Sequence, residues 1–309
     1  VRLLLIVNAT ASSVTARSRV VIQKALGADH DLEVEETSRR GHAARLARGA
    51  ANEGVDVVAV LGGDGTLNEA ADGLVGTDTA LAPLPGGSTN VYARTIGVER
   101  DPIDATAQLL GALDRRSFRR IGLGRVGDRY FLFHCGIGFD AAVVEQVERR
   151  SAFKRYAAHP LFVVASFDTW LRTYDHSHGR FEVRVGDPDR GEEEVIEGAT
   201  LAVASKTSPY TFLGSRPLLI APAATIDSPL SLTIVRTRNA AGMLSLAAAA
   251  LTSPKLLHRH PDVEQRDGVH RATVTSTEPF PYQVDGDYLG DVTRLELSYA
   301  PSCLTLVVP

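Results

Sequence analysis

The sequence predicts two domains: an N-terminal α/β domain on a parallel sheet over residues 1–120, and a C-terminal antiparallel, sandwich-like β domain over 121–297. The last segment, 298–309, is free to return to the first domain. Three observations lead there. At 309 residues the chain exceeds what one ordinary core organises. In its first third, apolar runs alternate with helical patterns, the signature of a parallel sheet with crossover helices. Beyond about residue 120, strand signals follow one another between Gly-Asp and Asp-Gly turns.

The elements follow in order. Residues 3–7 are an apolar strand, 16–26 a helix, 31–36 an alternating strand and 41–53 an alanine-rich helix. The β-branched run 55–61 reads as a strand buried on both faces. It ends in Gly62-Gly63-Asp64-Gly65, and Thr66 opens a helix over 67–75. A short strand at 80–84 ends at Pro85-Gly86-Gly87-Ser88. Strands are then expected at 119–126, 130–135, 180–185, 195–205, 230–235, 272–277, 282–284 and 293–297, interrupted by helical insertions at about 140–174 and 240–258.

Bulk properties narrow the function. Hydrophobic residues make up 44% and charged residues 23%, ordinary for a globular protein. A net charge of −4 gives no basic face for nucleic acid. Cys135 and Cys303 stand in unrelated apolar contexts, which argues against a disulfide framework or zinc site and for a reducing cytoplasm. The N-terminal apolar run is too short for a signal peptide, and residues 240–251 fall short of the roughly 20 that span a bilayer.

The strongest chemical signal is Leu61-Gly62-Gly63-Asp64-Gly65-Thr66-Leu67-Asn68-Glu69. Glycines at a strand-to-helix turn let backbone N–H groups close on a phosphate, and the helix N-terminus adds partial positive charge. The spacing is neither that of a Walker A loop nor of a Rossmann fingerprint. Asp64 inside such a turn either caps the helix or faces phosphate across a Mg²⁺ ion or its waters.

This nonapeptide resembles the signature of the diacylglycerol kinase catalytic domain family, which includes bacterial lipid kinases and sphingosine kinases; NAD kinases carry related GGDG loops. The resemblance implies an NAD kinase/diacylglycerol kinase-like fold and ATP as phosphate donor with Mg²⁺. It implies nucleotide contacts from Gly62, Gly63, Asp64, Gly65, Thr66, Asn68 and Glu69, with Asp64 also catalytic. Residues 84–94 are similar to a second nucleotide motif, implying contacts from Gly87 and Ser88, with Val91 where many members have Asp. Residues 7–13 lie where the family has NPxSG; Asn8 and the hydroxyl of Thr10 or Ser12 match, and phosphate neutralisation there comes from Arg17 or Arg19 or is weaker. Thr37 is similar to a nucleotide-contacting threonine.

Gln283-Val284-Asp285-Gly286-Asp287 resembles the family's VDGE, whose final carboxylate is implied as general base; Asp287 is one methylene shorter, and Asp-Gly alone would be a hairpin turn. Residues 222–230 are similar to a loop that holds a structural metal in some members, and only Asp227 of its two carboxylates is kept. Gly136-Ile137-Gly138-Phe139-Asp140-Ala141 matches a recurrent segment opening the helical insertion, and Arg149, Arg150, Lys154, Arg155 and His159 beside residues 161–164 form either a membrane-resting basic helix or a solvated face.

The resemblance thus implies an ATP-dependent lipid kinase acting on a hydroxyl of diacylglycerol or a related lipid. It implies a cytoplasmic protein in peripheral contact with the inner membrane face, homodimerisation being left open. An NAD kinase is the nearest alternative. A nucleotide-binding pseudokinase or regulatory protein is the alternative of another class, favoured by Val91, Asp287 and the missing lysine after Asn8.

Overall fold

Three apolar runs become central strands because neither of their faces meets water. In the computed structural model, which describes residues 1–149, 181–187, 192–237 and 240–309, the chain divides into unit 1 (Val1–Leu123 with Ala300–Pro309) and unit 2 (Gly124–Tyr299). Unit 1 runs β1 (Arg2–Val7), α1 (Ala16–Asp29), β2 (Asp31–Glu36), α2 (His42–Asn52), β3 (Val57–Gly62), α3 (Asp64–Leu74), β4 (Ala80–Pro85), α4 (Val91–Thr95) and α5 (Pro102–Asp114). β3 and β4 are buried at every position and β1 at all but Arg2. β2 is mostly exposed and lies at the sheet edge. The order β2–β1–β3–β4 is parallel throughout, and Thr305 and Leu306 of the chain's last strand add to β4, also in parallel. Leu3, Leu5, Ile22, Leu26, Leu61 and Leu84 lie in its core. Burying each such side chain is worth about 2 kcal/mol.

Two helical details differ from expectation. α3 begins at Asp64 rather than after Thr66, so the glycine loop's second half is the helix's first turn. Gly63 is extended there and supplies no side-chain cap. α5 was not anticipated, although Asp101 accepts from Ile103 N (2.8 Å) and Asp104 N (3.3 Å) and Pro102 follows as the first helical residue, a legible start signal.

The rest of the chain runs β5 (Phe118–Val126), β6 (Arg129–Phe131), β7 (His134–Gly138), α6 (Phe139–Arg149), β8 (Phe181–Asp187), β9 (Glu192–Ala199), β10 (Leu201–Ser205), β11 (Thr211–Leu213), β12 (Arg216–Leu218), β13 (Leu230–Val235), α7 (Ala240–Thr252), α8 (Pro254–His258), β14 (Val263–Val269), β15 (Arg271–Val284) and β16 (Asp287–Val307). In unit 2 an antiparallel path β14–β13–β10–β7–β15–β16 is joined by β8 and β9 through β15. The runs expected at 272–277 and 282–284 form one strand with an irregular register between Thr275 and Phe280, and 293–297 continues into the last segment as another. The strand expected at 195–205 breaks at Thr200, after Gly198 with φ of 73°. Phe181 and Phe280 meet in the core with ring centroids 5.3 Å apart. The basic stretch from Arg150 to His159 and the apolar run 161–164 lie outside the described residues.

Candidate active site

Strand register brings the glycine turns together. Val7 pairs with Leu61, Leu61 with Leu84, and Gly62 with Pro85, so β1, β3 and β4 end at one edge of the sheet. That carboxyl edge is where open α/β sheets bind ligands. Gly86 N donates to Gly62 O at 2.8 Å, Asn8 N to Leu61 O at 3.0 Å, and Ser13 N to Gly86 O at 2.9 Å. The two turns touch backbone to backbone. A Cβ on Gly86 would stand 2.8 Å from Gly62 N, and one on Gly87 2.8 Å from Gly63 Cα, so both positions require glycine.

Asn8 joins two loops. Its Oδ1 accepts from Thr10 N (3.1 Å) and Thr10 Oγ1 (2.8 Å), and its Nδ2 donates to Thr66 Oγ1 at 2.9 Å. Asn90, which sequence reasoning did not single out, closes the second turn. It accepts from Gly87 N and donates to Gly87 O, both at 2.8 Å, from a left-handed backbone with φ of 48°.

Asp64 takes a role different from either reading of the sequence. Its Oδ2 accepts from Val91 N (2.9 Å) and its Oδ1 from Tyr92 N (3.1 Å), so it caps α4, the neighbouring helix, not its own. Burial raises its carboxyl above the ordinary range, opposed by those two amides and by Arg94. With both oxygens accepting from amides, Asp64 ties the two glycine turns together. Glu69 likewise accepts from Ala43 N (3.3 Å) in the first turn of α2, and Asn68 is buried. Thr37 N donates to Val7 O at 2.9 Å, placing that residue beside Asn8 at the same sheet edge. Ser88 is exposed. Arg19 is paired with Glu36, and Arg17 is exposed.

What remains open in unit 1 is the first turn of α3. Leu67 N makes the helix's opening bond, to Gly63 O at 3.1 Å, so the amides of Asp64, Gly65 and Thr66 precede the hydrogen-bonded ladder. A Cβ on Gly65 would meet nothing within 4 Å, so no packing inside the chain explains its glycine. This cradle fits a phosphate. It does not fit a resident metal: among the described residues no group of three or more His, Cys, Asp and Glu is placed to hold one.

Unit 2 carries the second group of expected residues. Val284 pairs with Asp287, leaving Asp285 (φ 50°) and Gly286 (φ 86°) as a two-residue hairpin turn. The turn's first carboxylate faces inward. Asp285 accepts from Leu132 N (2.9 Å), Phe133 N (3.0 Å) and His134 N (3.0 Å). Burial pushes its carboxyl up to about 7, against the pull of those amides and of Arg129. Asp287 faces outward, 29% exposed, with Oδ2 2.5 Å from Arg129 Nη2. Arg129 carried no sequence motif and was not foreseen.

Behind the turn lies a buried polar chain. Gly286 N donates to Gln283 Oε1 (2.8 Å), Gln283 Nε2 to Asp140 Oδ2 (2.8 Å), and Tyr210 Oη to Asp140 Oδ1 (2.7 Å). His134 stacks on Tyr210 at 4.3 Å, and burial lowers its basicity. This accounts for the 136–141 segment: a Cβ on Gly136 would collide with Asp140 Oδ2 at 1.6 Å.

At the loop expected to hold a metal, the cation is a side chain. Lys206, buried, donates its Nζ to Thr225 O (2.9 Å) and Ile226 O (3.1 Å), with the Tyr299 ring centroid 5.7 Å away. Asp227 itself is exposed. The carbonyls of Thr225 and Ile226 in this loop are taken by the Lys206 ammonium group.

With this geometry in view, known proteins can be compared. Residues 2–125 match the family model described as the diacylglycerol kinase catalytic domain. A Chromohalobacter salexigens protein named "Probable lipid kinase YegS-like" is 37% identical over 129 residues, 40% of each chain. The diacylglycerol kinase of Bacillus subtilis is 33% identical over 120 residues, 38% of this chain and 39% of that one. The chain thus spans about 40% of the length of these curated relatives. A solved diacylglycerol kinase from Bacillus anthracis matches with a TM-score of 0.69, covering 100% of this chain and 97% of that one at 20% identity. At that identity the likeness establishes the fold.

Proposed function

We propose that this chain, whose residues 2–125 belong to the diacylglycerol kinase catalytic domain family, transfers the γ-phosphate of ATP to a hydroxyl of diacylglycerol or a related lipid. The observation that carries the reading is the pair of interlocked glycine turns, with the first-turn amides of α3 left open beside Gly65. Those amides and the helix dipole would receive the nucleotide's phosphates, while Asn8, Thr10 and Thr66 hold the loops that shape the cradle. Mg²⁺ carried by the nucleotide would neutralise phosphate charge; among the described residues no group of three or more His, Cys, Asp and Glu is placed to hold it alone.

On the acceptor side, Asp287 is the general base. A lipid hydroxyl is a poor nucleophile. A carboxylate that takes its proton as the oxygen attacks the γ-phosphorus lets the new P–O bond form while the bond to ADP breaks. Arg129 fixes one oxygen of Asp287, and the carboxylate is partly exposed. Asp285, with three amide partners, is the anchor of the turn that places Asp287.

Transfer of labelled γ-phosphate tests this, with detergent-dispersed diacylglycerol, sphingoid bases and glycolipids as acceptors and NAD in parallel. Labelled lipid is expected. NADP as the sole labelled product would replace the reading with an NAD kinase, and no transfer to any acceptor would favour the pseudokinase.

A further inference from the structure

α7 is apolar on the side where a surface helix ordinarily carries charge. Its inner face is accounted for: Met243, Leu246, Ala249 and Ala250 pack with Val235, Leu257 and Val263. Its outer face presents Ala241, Leu244, Ser245, Ala248, Leu251 and Thr252, spaced by three and four residues and therefore one stripe. Leu244 is 53% exposed and Leu251 46%, and Leu256 on α8 is 52% exposed. No charged residue occurs anywhere on α7.

Cations stand at its C-terminal end, with Asp262 the first acidic residue beyond them. Between Ser228 and Pro261 the sequence has no Asp or Glu. Lys255 and Arg259 are exposed on and after α8, and Arg216 donates to Thr252 O (3.4 Å) at the last residue of α7. Arg236 in the same stretch is paired with Glu264 and is not counted.

We propose that the outer face of α7, with Leu256, Lys255 and Arg259, is a docking surface for an anionic lipid bilayer. The leucines enter the boundary between headgroups and acyl chains, and Arg216, Lys255 and Arg259 meet the headgroup phosphates. At 13 residues the helix lies on the membrane, and no helix of the described residues is long and apolar enough to cross one. A second copy of the chain is the weaker occupant, because a two-fold contact through this face would bring the same three cations against their own mates. The purpose of the surface, presenting the chain to a lipid acceptor, rests on the kinase reading; the docking itself does not.

The test therefore separates the two. Co-sedimentation of the full chain, without ATP, is measured on vesicles of phosphatidylcholine alone and of phosphatidylcholine with phosphatidylglycerol. Binding is expected on the mixed vesicles only and should weaken with added salt. Lys255→Glu with Arg259→Glu should lower vesicle affinity tenfold or more, at about fivefold per lost cation. Leu244→Asp with Leu251→Asp should abolish it. Both pairs lie on the exposed face, so thermal unfolding should match the parent, and Val195→Asp, an equally exposed site on β9, should bind as the parent does. Phosphorylation of detergent-dispersed lipid should persist in both double variants. Equal binding by the parent and the leucine double variant would overturn the proposal. So would a dimer that this variant dissociates while vesicle binding stays intact. Absence of turnover in every form would sink the kinase reading alone and leave the vesicle result standing.

Discussion

Arg129 Nη2 stands 2.5 Å from Asp287 Oδ2, joining the start of β6 to the residue that closes the β15–β16 hairpin. The pair is about one-third exposed, so its worth to stability is about 1 kcal/mol or less. Its value is orientation. Asp287→Asn keeps the size and shape of the side chain but cannot accept a proton from a hydroxyl. Its turnover should fall about 10²–10⁴-fold while nucleotide affinity and the unfolding midpoint stay near those of the parent. Arg129→Ala should lower turnover about tenfold by releasing the carboxylate from its place, with Arg129→Lys recovering part of the loss. Asp287→Asn turning over at the parent rate would remove Asp287 as base.

Gly65 separates ligand binding from folding. In the first turn of α3 it has open space where a Cβ would go, and alanine is the better helix former by about 1 kcal/mol. Gly65→Ala should therefore leave stability unchanged or raised and weaken ATP binding about tenfold or more by intruding on the cradle. Gly86→Ala should do the opposite, destabilising the chain outright, because its Cβ meets Gly62 N at 2.8 Å. Titration calorimetry beside denaturant unfolding reads both. Full ATP affinity in Gly65→Ala would mean that phosphate lies elsewhere.

The parallel sheet was legible because its strands are short apolar runs ended by glycine, and the observed β3 at Val57–Gly62 lies within two residues of the expected run 55–61. The partners of the motif residues were not legible. Asp64 bonds to amides 27 and 28 residues away, and nothing in the local pattern around Gly62 points to Val91 and Tyr92. Arg129 and Lys206 escaped for the same reason. One is a single arginine in a chain rich in them, the other a lysine whose meaning is set by two carbonyls about twenty residues downstream. Asp140 sat inside a recognised segment, but its tie to Gln283 spans 143 residues. α5, by contrast, has a readable start, with Asp101 as cap and Pro102 as its first residue.

Lys206 ties down the loop before Asp227 through the carbonyls of Thr225 and Ile226. Removing its ammonium while keeping its stem, as Lys206→Met does, takes the charged donor away from the carbonyls of Thr225 and Ile226 and leaves a buried stem without its two bonds. The expected loss is about 2–4 kcal/mol, read from urea unfolding. Chelation of divalent ions should leave the parent's unfolding midpoint where it was. A midpoint that falls on chelation and recovers with Mg²⁺ would show that this or another resident site had been overlooked.

Asp285 makes stability depend on pH in a direction opposite to that of most carboxylates. Its carboxyl titrates near 3.8 in ordinary surroundings and is pushed up to about 7 here, by burial first of all. Between those values the unfolded chain has released the proton that the folded chain still holds, so the folded state binds more protons and stability falls as pH rises. The contribution is whole below about pH 4, declines through the interval and is lost above about pH 7, by about 4 kcal/mol at most. Asp285→Asn does not titrate. The free-energy difference between parent and variant, measured by urea unfolding from about pH 4 to 8, should therefore move against the parent across that window. The competing force is visible in the structure: three amides and Arg129 all favour the ionised form. If they outweighed burial, the parent would gain on the variant as pH rose, and the turn that places Asp287 would be held by a carboxylate rather than by a carboxylic acid.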